Sequence, residues 1–133
     1  MTNNSDRTSK KRLASFNHPW EKGDIYGFSQ AVQVGSRIYV AGQTATNPDG
    51  DMESQMREAY ASIEAALSQL GATMANVVDE TIYVTDIEAA GLCAARVRNN
   101  VFNGCFELAS TLIGITRLGH PDILVEIKCT AEV

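Results

Sequence analysis

What this sequence has little of excludes several classes at once. No stretch stays apolar for the roughly 20 residues a bilayer span needs, and the first ten residues lack the apolar core of a secretory signal. Cys93, Cys105 and Cys129 are an odd set at wide spacing, with no CxxC pair and no histidine at ligand spacing, so neither a disulfide framework nor a zinc site follows. Basic residues are scarce too: 11 Lys and Arg stand against 16 Asp and Glu, a formal net charge of -5. Arg7, Lys10, Lys11 and Arg12 crowd the N-terminus, so the remainder is more acidic than the total, which argues against a phosphate-backbone partner. The expected setting is the reducing cytoplasm, with no membrane and no nucleic acid as partner.

What is present suffices for one core. At 133 residues and 44% hydrophobic content the chain fits a single domain. Residues 1–10 carry no apolar side chain after Met1 and are expected to be a flexible tail, leaving 11–133 as the domain. Leu13–Phe16 reads as a short edge strand. From Phe28 to Val34 side chains alternate, and Gly35-Ser36 suits a type II′ turn into a second strand, Arg37–Gln43.

Asn47-Pro48-Asp49-Gly50 is a turn cluster. Beyond it Met56, Ala59, Tyr60, Ile63, Ala66, Leu67 and Leu70 step by three or four residues, an amphipathic helix with Asp51 as N-cap and Gly71 at C′; Tyr60 and Ile63 belong to its core stripe. Val78–Val84 is rich in β-branched and aromatic residues and reads as a strand. Thr85 and Glu88 have capping-box spacing for a second helix through Ala90, Ala94, Val97 and Val101 to Asn103-Gly104.

Ser110–Val133 reads as two strands joined by a Gly119-His120-Pro121-Asp122 turn. The order is β-β-α-β-α-β-β, with the N-terminal strand in addition. A crossover from Tyr39 to Ile82 requires a parallel pair and the hairpins antiparallel ones, so the expected fold is α+β, a mixed sheet with two helices on one face. Thr111 to Ile115 is mostly apolar on both alternating sides, the pattern of a strand covered on both faces, and predicts a homo-oligomer.

Glu126 is the first candidate for a site. It sits in an apolar run between Val125 and Ile127, where a carboxylate must be paired, solvated in a cleft, or used. The rival reading is pairing with Lys128, two residues on and therefore on the same strand face. Ser110 and Thr111 offer hydroxyls but have no histidine or aspartate placed by sequence to activate them. Gly42 and Gly114 remove side chains and either open a pocket or relieve crowding in the sheet. His18 and His120 read as turn and loop residues, and nothing basic adjoins Cys105 to lower its pKa.

His18-Pro19-Trp20-Glu21, the Phe28–Thr44 stretch ending in Ala41-Gly42-Gln43, Asn76–Ile87 and Pro121–Val133 together resemble the Rid family of reactive intermediate deaminases, also known as YjgF and labelled endoribonuclease L-PSP. The resemblance implies a chorismate-mutase-like α+β subunit, a homotrimer with small-molecule clefts between subunits, and hydrolysis of enamines and imines without cofactor or metal. It also implies a carboxylate-gripping arginine at the start of the penultimate strand, which falls on Ser110. The family's cleft tyrosine falls on Phe28, its serine before Gly-Gln on Ala41 and its cysteine on Leu112, while Gly42 and the water-positioning Glu126 remain.

Arg117 lies seven residues beyond Ser110, roughly 23 Å along a strand at about 3.3 Å per residue, and its odd offset turns it to the other face. Arg37, Arg96 or Arg98 of a neighbouring subunit is open to the role. Losing the guanidinium fork removes about 1.5 to 3 kcal/mol for a carboxylate ligand, one to two orders of magnitude in affinity. The expected function is hydrolysis of an enamine-, imine- or carbonyl-derived metabolite with altered specificity. Phe28, Gly42, Ser110, Thr111 and Leu112 line the cleft and Glu126 serves as catalytic residue. A non-catalytic small-molecule binding or regulatory trimer is the alternative, and an acidic body without a basic stripe gives the ribonuclease label little support.

Overall fold

The computed structural model describes residues 9–17 and 23–133. His18, Pro19, Trp20 and Glu21 and the first eight residues of the expected tail lie outside the described residues. Strands β1 (Lys10–Leu13), β2 (Ala31–Val34), β3 (Arg37–Gln43), β4 (Val77–Val84), β5 (Ala109–Gly114) and β6 (Val125–Glu132) form one mixed sheet in the order β1-β2-β3-β6-β4-β5. One-turn helix α1 (Gly23–Tyr26) precedes β2, and α2 (Met52–Gln69) and α3 (Ile87–Val101) cover one face of the sheet. A 3₁₀ turn at Met74–Asn76 leads into β4.

Helix α2 starts where a carboxylate can accept its first orphan amide: Asp51 Oδ1 takes the Ser54 N–H at 2.9 Å. It ends where Gly71 takes φ +75°, a conformation that costs a side-chain-bearing residue free energy. Met56, Ala59, Ile63, Ala66 and Leu67 on its inner stripe are fully buried, each large side chain contributing about 1.5 to 3 kcal/mol. Buried Gln55 ties this helix to two loops: its Nε2 donates to the Pro48, Gly50 and Asp122 carbonyls and its Oε1 accepts from Leu124 N–H. Glu53 joins α2 to α3 through Arg57 and Arg96, which hold its carboxyl below the usual range.

Four expectations are corrected. β1 begins at Lys10 rather than Leu13; its Lys10-Lys11-Arg12 run suits a charged sheet edge, which discourages pairing with another chain. Helix α3 is capped by Asp86, whose Oδ1 accepts from Ala89 N–H at 3.0 Å, while Thr85 N–H is bonded to the Leu124 carbonyl. The last two strands are not a hairpin: β6 inserts between β3 and β4, antiparallel to both, and the hydrogen-bonded parallel pair is β4–β5. β5, read as covered on both faces, is the exposed outer strand of this subunit, with only Leu112 half-buried. The Gly35 turn does join β2 to β3 with φ +60°, as a primed turn demands.

Candidate functional site

Alternation along the strands divides the candidate residues between two surfaces. Cross-strand partners share a face. Glu80 lies opposite Cys129 and Ser110, and Ile82 opposite Ile127 and Leu112, so this set faces the helices. Tyr83 lies opposite Glu126 and Ile113, and Thr81 opposite Lys128 and Thr111, so these face the uncovered side. Glu126 and Thr111 therefore share a face two strands apart, roughly 10 Å at about 4.8 Å per strand. Ser110 and Leu112 belong to the opposite face of the same sheet. Phe28 is 42% exposed in the segment ahead of β2, which begins only at Ala31.

On the open face, β3 carries a register shift between Val40 and Gln43. A bulge of this kind re-aims side chains: Gln43 turns inward opposite Ile127, buried, and accepts from Gln30 Nε2 at 2.9 Å. Gly42 comes to lie beneath Glu126. A methyl group at Gly42 would meet the Glu126 carboxylate, with Cδ at 2.6 Å and Cγ at 2.9 Å. The glycine is thus what allows this half-buried carboxylate to rest against the bulged strand, and Tyr83 is its cross-strand neighbour on the other side.

On the helix face sits a second carboxylate, which the sequence reading missed. Glu80 is 1% exposed. Tyr60 of α2 donates its O–H to Glu80 Oε1 at 2.7 Å, and Ser110 donates to Oε2 at 2.6 Å. Arg98 of α3 donates from Nη1 to Ser110 Oγ at 3.2 Å. The buried carboxylate thus has both oxygens satisfied, without which it would cost about 1 to 3 kcal/mol or more. Burial, then the adjoining carboxylate, drives the Tyr60 phenol far above its ordinary range, so it stays a donor. Burial beside Glu80 likewise pushes the Cys129 thiol up to about 12. The signal for Glu80 was available: it shares strand parity with Ile82 and Val84, both fully buried.

Among the described residues two grooves stand out on the subunit surface. A 490 Å³ groove is lined by Glu64, Thr73, Met74, Phe102, Cys105 and Glu107 among others, with no lysine or arginine. Cys105 is exposed there, and its hydrogen bond to Glu107 holds the thiol above its usual value, against a nucleophilic role. A 230 Å³ pocket is lined by Ala95, Arg98, Phe106, Leu108 and Ser110. Neither groove includes Glu126 or Gly42. Among the described residues no group of three or more His, Cys, Asp and Glu side chains could hold a metal ion, and no helix is long and apolar enough to cross a membrane.

A six-stranded mixed sheet backed by two helices, with a carboxylate resting over a bulge glycine on the bare face, defines a class of α+β subunit with a chorismate-mutase-like topology. The chain belongs to the Rid/YjgF family: the model described as Endoribonuclease L-PSP matches residues 22–133. It is 30% identical over 110 residues to the RutC family protein YjgH of Escherichia coli, covering 80% of this chain and 82% of that one. A 2-iminobutanoate/2-iminopropanoate deaminase of Dermatophagoides farinae is 32% identical over 82 residues, 57% of this chain and 62% of the relative. Among solved structures, Rv2704 of Mycobacterium tuberculosis, a member of the YjgF/YER057c/UK114 family, superposes with a TM-score of 0.82 at 35% identity, covering 94% of this chain and all of that one (100%).

Proposed function

We propose that this protein hydrolyses a reactive enamine-, imine- or carbonyl-derived metabolite, without cofactor, in clefts closed between the subunits of a cytoplasmic homotrimer. The observation that carries this reading is the Glu126 carboxylate seated over Gly42 on the uncovered sheet face. A carboxylate held at a fixed point on an accessible surface can orient a water and take its proton as the water adds to a C=N or C=O carbon; general base catalysis of this kind contributes about 10² to 10⁴ in rate. In an imine the nitrogen then leaves as ammonia, and a ketone remains. Gly42 serves as the positioning residue beneath Glu126.

The division of the candidate residues supports an assembly of subunits. Ser110 and Leu112 face one way, Gly42 and Glu126 the other, and β5, which carries the first pair, is exposed. One subunit cannot bring both sets to one ligand, whereas two can, if the β5 region of one docks by the Glu126 face of the next. Similarity to an iminobutanoate/iminopropanoate deaminase supports the reaction class, and Ser110 in place of an arginine supports a selectivity different from that of 2-imino acid deaminases. Ammonia release from freshly generated 2-iminopropanoate tests the chemistry: the protein should accelerate it and Glu126→Ala should lose about a hundredfold. Full activity in Glu126→Ala would overturn the role of Glu126, and no acceleration by wild type would overturn 2-imino acids as substrates.

A further inference from the structure

Ser110 and Glu80 stand in the relation of a nucleophile to its base. The Ser110 hydroxyl donates to Glu80 Oε2 at 2.6 Å, and the Tyr60 hydroxyl holds the same carboxylate from behind, 2.7 Å from Oε1. A nucleophile within hydrogen-bond reach of a base that a third group orients is the arrangement that activates serine for acyl transfer. Sequence spacing offers Ser110 no histidine or aspartate for this task; the fold supplies a glutamate 30 residues away on β4.

Exposure divides the roles. Glu80 is 1% exposed, whereas Ser110 is exposed on outer strand β5 and lines the 230 Å³ pocket. The serine oxygen can therefore meet a reactant while its proton stays directed at a buried base. Burial beside Glu80 keeps Tyr60 a phenol, so it orients the base and does not take the proton. Arg98 Nη1 donates to Ser110 Oγ at 3.2 Å. A cation at the attacking oxygen favours the negative charge that develops in the adduct, as an oxyanion-hole donor does. Ala95, Phe106 and Leu108 give the pocket apolar walls, and it is smaller than the roughly 300 Å³ at which sites for drug-sized ligands begin, which suits a short acyl chain.

We infer that Ser110 is the nucleophile of a second activity, transfer of a short acyl group from a carboxylic ester to water, with Glu80 as general base. Ser110 Oγ bonds to the ester carbonyl carbon as its proton passes to Glu80. The tetrahedral adduct then collapses: the bond to the alcohol oxygen breaks and Glu80 gives that oxygen the proton. Water adds to the acyl-serine and yields a proton to Glu80, which returns it to Ser110 Oγ as the carboxylic acid leaves. Glu126 lies on the opposite sheet face and takes no part, so acyl transfer and ammonia release are read separately.

The probe is p-nitrophenyl butyrate, followed by nitrophenol release and by intact-mass and peptide mass spectrometry of the quenched protein. Wild type should show a burst of nitrophenol and gain one butyryl group on the peptide containing Ser110. Ser110→Ala, at an exposed position, should lose the burst and the adduct, and Glu80→Gln should react at least about a hundredfold more slowly. Arg98→Met should slow acylation by at least about tenfold. Tyr60→Phe should lower kcat about tenfold with KM unchanged, a split that a structural role alone would not give. Cys105→Ser should match wild type, which separates the serine from the exposed thiol. No butyryl adduct on wild type, an adduct that persists in Ser110→Ala, or a full rate in folded Glu80→Gln would each overturn the inference. Ser110→Ala and Tyr60→Phe keep the test decisive if Glu80→Gln fails to fold.

Discussion

At the scale of single residues, two glutamates show how strand parity decides chemistry. Glu126 is flanked in sequence by Val125 and Ile127, both fully buried, yet alternation turns it to the opposite, uncovered face. Glu80 has the acidic Asp79 before it and looks solvated, but shares its face with Ile82 and Val84 and is buried. The first lies on the face where the proposed chemistry would occur; the second holds Tyr60, Ser110 and, through Ser110, Arg98. Gly42 gives the sharpest test at this scale. A Cβ there would strike the flexible end of Glu126, which can move, so Gly42→Ala should displace the carboxylate rather than unfold the chain. Ammonia release should drop at least about tenfold while the melting temperature shifts by less than about 4 °C, the equivalent of about 1 kcal/mol. Unchanged activity would mean that Glu126 works from another position.

At the scale of elements, helix limits were readable because caps are local chemistry. Asp51, the apolar stripe from Met56 to Leu67, and Gly71 mark α2 at both ends, and the structure follows them. At α3 the neighbouring Thr85 and Asp86 both have cap chemistry, and tertiary structure chose between them: Thr85 N–H is already committed to Leu124, leaving Asp86 to accept from Ala89. Asp86→Ala should therefore cost about 0.5 to 2 kcal/mol in urea unfolding, and Thr85→Ala less. A larger loss from Thr85 would return the cap to it. The placement of β6 was beyond local reading. A short turn after β5 suggests a hairpin, but β6 has fully buried Val125, Ile127 and Ala131 alternating with more polar positions, and a sheet centre beneath α2 covers that apolar face better than an edge would.

At the scale of the molecule, the sheet face away from the helices bears Tyr39, 47% exposed, and Ile113, 38% exposed, beside Glu126 and Tyr83. Such a surface is expected to be covered by copies of the same subunit. Sedimentation equilibrium at micromolar concentration should give three times the subunit mass, and Ile113→Glu should shift the population toward monomer by burying a charge at the contact. A wild-type monomer would count against the clefts and the trimer together.

The sequence by itself determined the family, the α+β class, both long helices and the pairing of β2 with β3, because composition, short-range periodicity and turn chemistry are properties of neighbouring residues. It also marked Gly42 and Glu126. Only the tertiary structure decided that β6 lies between β3 and β4, that Ser110 and Glu126 stand on opposite faces, and that Arg98, from a helix, meets Ser110 on a strand twelve residues on. Those relations depend on strand order and on which faces are buried together, and side chains distant in sequence share a site only once the sheet has closed beneath its helices.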